Sequence, residues 1–71
     1  MSPIDLENRF RYHAPDDSKR RRHEFVRGRF RDLAEIVNGS IPESDEKECS
    51  IRALEEALMW ANAAIARHPI D

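Results

Sequence analysis

The sequence predicts an all-α fold: a short N-terminal arm or helix, then an antiparallel hairpin of two long helices that assembles as a homo-oligomer. Three observations carry that expectation. Residues 54–67 contain no Gly, no Pro and only one β-branched residue, Ile65, so they read as uninterrupted helix. A second helical pattern precedes them, separated by Asn38-Gly39 and a short segment containing Pro42. The apolar face of the last helix is also too wide for one neighbour. Ile51, Leu54, Leu58, Ala61 and Ile65 share one arc, and Ala53, Ala57, Trp60 and Ala64 fill the next. Together they cover about half the circumference, whereas one packed stripe needs about 100°.

Residues 1–17 form the arm. Ser2-Pro3 is a helix start signal, and Ile4-Asp5-Leu6-Glu7 can add a short helical turn. Pro15 is expected to push Ala14 toward an extended conformation. The arm carries an aromatic and basic run from Asn8 to Pro15 and reads as mostly ordered loop, because disordered segments are poor in aromatics.

Residues 18–38 form the first long helix. Asp17 or Ser18 can cap a helix that starts at Lys19 and reaches about Val37, with Asn38-Gly39 as the stop. The expected buried stripe is Val26, Phe30, Leu33, Ala34 and Val37. Phe25 and Ile36 fall off it, beside Arg22 and Arg29, and hint at an intersubunit surface. Gly28 costs roughly 1 kcal/mol in a helix interior.

Residues 44–67 form the second long helix. Ser44 or Asp45 caps it, with Asp45, Glu46 and Glu48 at its positive end, and His68-Pro69 ends it. A connection as short as 40–44 makes the two helices antiparallel neighbours.

A chain of this length is a single domain, marginally stable alone. One cysteine, Cys49, excludes an internal disulfide, and His13, His23 and His68 lack metal-ligand spacing. No metal and no cofactor are expected, which leaves oligomerisation as the stabilising device. No membrane span and no signal peptide is expected, so the cytoplasm is the expected compartment.

The net charge of −2 hides an asymmetry. Residues 1–31 hold nine basic and five acidic side chains, a balance of +4, and residues 32–71 hold three and nine, a balance of −6. One end can therefore hold an anion while the other repels bulk nucleic acid. Catalysis is not expected. No Ser/His/Asp arrangement is present, Cys49 has no His predicted nearby, and Glu55 and Glu56 point apart. On the first helix Arg20, Arg27 and Arg31 share a face with Glu24 between them, and Arg27 borders the apolar stripe. Arginine suits a bidentate grip on phosphate. The plainer reading is a solvated face of ordinary surface arginines. Phe10 and Tyr12 flank Arg11, and a ring beside a guanidinium is the minimal kit for a nucleotide. The plainer reading has Phe10 plugging the hairpin's open end.

The run Asn8-Arg9-Phe10-x-Tyr12-His13-x-Pro15, followed by Leu54-Glu55-Glu56-Ala57-x-Met59-Trp60-Ala61-Asn62-Ala63-x-Ile65-Ala66-Arg67, resembles the phage anti-CBASS proteins. These are cyclic-oligonucleotide sponges whose hairpin domain is shared with the phage anti-Thoeris sponges. The resemblance spans about residues 7–67. It implies a compact homohexamer in the cytoplasm of the infected bacterial host. It implies binding without degradation of cyclic dinucleotides such as 3',3'-cGAMP, and in some members of cyclic trinucleotides in a separate pocket. For the dinucleotide site it points to Tyr12 and Arg27, with Phe10 and Arg9. The basic residue matched by Arg27 is often Lys in the family, which bears on ligand preference. For the trinucleotide site it points to Arg67, with Gly28 and Arg29. Two rival readings stand beside it. One is a small helical nucleic-acid-binding regulator using Lys19 to Arg31, disfavoured by the acidic second half. The other is a pure assembly module whose arginines meet acids of neighbouring subunits.

Overall fold

The computed structural model describes residues 1–11 and 16–69. It contains three helices: α1 (Pro3–Phe10), α2 (Asp17–Ser40) and α3 (Asp45–Arg67). The two long helices pack against each other as a hairpin.

Helix α1 is longer than the single turn expected from the sequence. The Asp5 N–H donates to Ser2 Oγ at 3.1 Å, and Pro3 occupies the first helical position. Asp5 in the first turn and Arg9 in the last both favour the helix dipole, which helps carry the helix to Phe10.

Helix α2 exceeds the expected bounds at both ends. Its cap is Asp16, not Asp17 or Ser18, and Asp16 Oδ1 accepts from the Lys19 N–H at 2.8 Å. At the far end Asn38 and Gly39 remain helical, and Gly39 has no positive φ. The stop comes from Pro42, which favours extended backbone in the residue before it. Ile41 is extended accordingly (φ −105°, ψ 136°), and its N–H still closes on the Val37 carbonyl at 3.1 Å.

Helix α3 begins as the sequence indicates. Ser44 Oγ accepts from the Lys47 N–H at 3.1 Å and donates to the Pro42 carbonyl at 2.9 Å, so one hydroxyl ties the turn to the helix. His68 is the C-cap, its N–H on the Ala64 carbonyl at 3.1 Å.

Three links set the register of the hairpin. Lys19 Nζ donates to the Ala66 carbonyl at 3.0 Å, His23 Nδ1 donates to Asn62 Oδ1 at 2.8 Å, and Lys47 Nζ donates to the Asn38 carbonyl at 2.7 Å. In all three pairs the residue numbers add up to 85, so a single register runs from the turn to the open end.

Among the described residues no apolar side chain is buried, and Lys47, at 6% exposure, is the only buried polar or charged one. The seam is half-buried: Val26, Phe30, Ala34 and Val37 of α2 face Ile51, Leu54, Leu58, Ala61 and Ile65 of α3. Leu33 departs from expectation. The covered arc of α2 is shifted toward Lys19 and His23, leaving Leu33 at the rim, 45% exposed, on the side of Phe25 and Ile36. Phe25, Ile36, Met59 and Trp60 are each more than half exposed, and Ala53, Ala57 and Ala64 are exposed with them. The second apolar arc of α3 therefore has no cover among the described residues. The Cα radius of gyration is 15.3 Å, against about 11 Å for a compact domain of this length.

Candidate functional site

Two cavities bear on the residues singled out in the sequence. The first lies across α2 and α3 and is lined by Arg20, His23, Glu24, Arg27 and Asn62, with a volume of about 330 Å³. Its two half-buried members are His23 and Asn62. The hydrogen bond between them occupies His23 Nδ1 and Asn62 Oδ1, which leaves the imidazole Nε2 and the Asn62 amide protons for other partners. Arg20, Glu24 and Arg27 are exposed around this pair. Helical spacing puts Glu24 one turn from each arginine, yet it pairs with neither. Arg20 reaches Asp17 at 3.5 Å, and Arg27 makes no ion pair among the described residues.

The second cavity lies between α1 and the end of α3. Asp5, Arg9, Trp60, Arg67 and His68 line about 360 Å³. Trp60 is 60% exposed, and its indole N–H reaches Glu56 Oε1 at 3.4 Å.

The structure thus sorts the expected site residues differently from the sequence. Arg27 lines the first cavity, while Arg9 lines the second, together with Arg67. Phe10 is 83% exposed, so it does not plug the hairpin's open end. Gly28 is exposed on α2, and a Cβ there would meet nothing within 4 Å. Arg29 lies 5.4 Å from the Phe25 ring centroid and 3.7 Å from Asp32. Neither Gly28 nor Arg29 lines the cavity of Arg67. Tyr12 lies outside the described residues, as do His13 and Pro15 of the same motif. Sequence reasoning passed over His23 and Asn62. The signal available was two polar residues inside apolar stripes, at heights that an antiparallel register brings level.

The protomer combines a short N-terminal helix, two long antiparallel helices and an apolar face left open by the described residues. The sequence matches the family Acb2/Tad1, hairpin domain, over residues 2–66. The chain belongs to the Acb2/Tad1 hairpin-domain family. This is the anti-CBASS/anti-Thoeris sponge family, and membership is consistent with a sponge-type anti-defence role. No curated protein and no solved structure matches the chain. As an Acb2/Tad1 hairpin domain, the protein has cyclic oligonucleotide signals in general as its implied ligands. No helix among the described residues is long and apolar enough to cross a membrane.

Proposed function

We propose that this protein is a phage anti-defence sponge that binds cyclic di- and trinucleotide immune signals in the host cytoplasm and releases them unchanged. The observation that carries this reading is the Arg27 cavity. A guanidinium with no ion pair among the described residues stands with Arg20 at the edge of a seam where His23 and Asn62 are hydrogen-bonded to each other. Charge-assisted contacts to phosphate are about twice as strong as neutral ones. The reading assigns Tyr12 to stacking on the ligand and Arg27 to its phosphates, with Phe10 and Arg9 beside them. Arg67 is assigned to the trinucleotide.

Assembly as a homohexamer is part of the same proposal. A protomer with no buried apolar side chain among the described residues and with Trp60, Phe25 and Ile36 exposed gains its core by covering that face with copies of itself. Seams between copies then bring arms and α2 arginines of neighbours together. Paired contacts from two protomers can reach nanomolar affinity, about −12 kcal/mol. Sequestration needs slow release and many copies, with no chemistry on the ligand.

Calorimetric titration with a panel of cyclic di- and trinucleotides tests the reading. Saturable binding at micromolar protein or below, with the ligand recovered intact, is the expected result. No heat with any of them, together with salt-dependent shifts of duplex DNA in a gel, would transfer the function to a nucleic-acid regulator.

A further inference from the structure

Resting on that reading, we infer that Glu24, with Asn62 behind it, makes the Arg27 cavity select a guanine base. The cavity carries both signs of charge. Arg20 and Arg27 supply a positive rim, and Glu24 places a carboxylate between them that neither arginine takes up. A phosphate alone would satisfy the arginines and be repelled by Glu24. The occupant that fits must present an anion and, a few ångströms away, a pair of hydrogen-bond donors.

Guanine has such an edge. Its N1–H and exocyclic N2–H₂ point the same way and match the two oxygens of a carboxylate, which only accepts. Adenine offers one amino group beside a ring nitrogen that is itself an acceptor, so one carboxylate oxygen would face a lone pair. The remaining polar groups suit guanine as well. The Asn62 amide protons, free because Oδ1 is engaged by His23, can donate to guanine O6 or N7. The His23–Asn62 bond fixes the direction of that amide, so His23 is a positioning residue. At about 330 Å³ the cavity is at the small end of ligand sites, room for one base and its phosphate, or half of a cyclic dinucleotide.

The test is a calorimetric comparison of three probes, cyclic di-guanylate, cyclic guanylate–adenylate and cyclic di-adenylate, on the full chain. The wild type is expected to bind the two guanine-containing probes at least tenfold tighter than cyclic di-adenylate. Glu24→Gln replaces one acceptor by a donor, which suits the adenine edge, so the preference should fall at least tenfold or reverse. A ratio between two ligands is insensitive to partial misfolding, and circular dichroism checks the helices of each variant. Binding of all probes with no guanine preference, or a preference that Glu24→Gln leaves intact, would overturn the inference and leave the sponge reading standing. Failure of all three probes to bind would overturn the inference, and the sponge reading falls with it only if the cyclic trinucleotides of the wider panel also give no heat.

Discussion

The two ends of the hairpin use basic side chains in opposite ways. At the turn, Lys47 is almost fully enclosed, and its ammonium is consumed by the Asn38 carbonyl and the Glu43 carboxylate. At the open end, Lys19 makes one link to α3, while Arg9, Arg20, Arg27 and Arg67 line two cavities. Charge at the turn fixes the hairpin, and charge at the open end remains available to a ligand. The difference arises from chain geometry. A four-residue connection holds the ends of α2 and α3 close enough to enclose one long side chain, whereas at the other end the two helices are linked by side-chain hydrogen bonds.

The largest effect is expected for Trp60→Ala. Trp60 is 60% exposed in the protomer, so its loss should leave the protomer's helices intact. At a seam between copies it would act as an anchor worth about 2 kcal/mol or more. Sedimentation velocity should show the assembly shifting toward smaller species. Next is Lys47→Ala, which removes the enclosed charged donor that ties the Asn38 carbonyl to α3. A loss of about 2 kcal/mol is expected, lowering Tm by roughly 10 °C in a domain of this size. Thermal circular dichroism at fixed protein concentration would measure it, because assembly makes Tm depend on concentration.

Arg27→Ala should behave in the converse manner. Affinity for cyclic dinucleotide should fall at least tenfold in calorimetry, while the unfolding free energy stays within about 0.5 kcal/mol of wild type. The smallest effect is expected for Arg52→Ala. Its 3.3 Å pair with Glu48 is exposed on both sides, and such pairs contribute about 0.5 kcal/mol or less. Urea unfolding that showed a larger loss would mean Arg52 has a partner on another copy.

Local signals were legible in the sequence and relations between distant residues were not. The Ser44 cap, the His68-Pro69 stop and the unequal arcs of α3 all follow from neighbours a few residues apart, and the structure has them. Asn38-Gly39 misled because a glycine permits a helix end without requiring one, while Pro42 enforces it. Leu33 sits on the edge of its stripe, where a small rotation of α2 decides exposure. The meeting of His23 with Asn62, and of Arg9 with Arg67, depends on the register and on where α1 lies against α3. No periodicity within one helix encodes those relations. The place of Arg27 at the border of the apolar stripe was legible, but the cavity around it was not.

Native mass spectrometry of the chain with a saturating cyclic dinucleotide tests the central claim most directly, because it weighs the assembly and the bound ligand together. The account expects a hexamer of the 8.3 kDa protomer carrying whole, unmodified ligand. A folded lone protomer, or a ligand recovered with its ring opened, would contradict it.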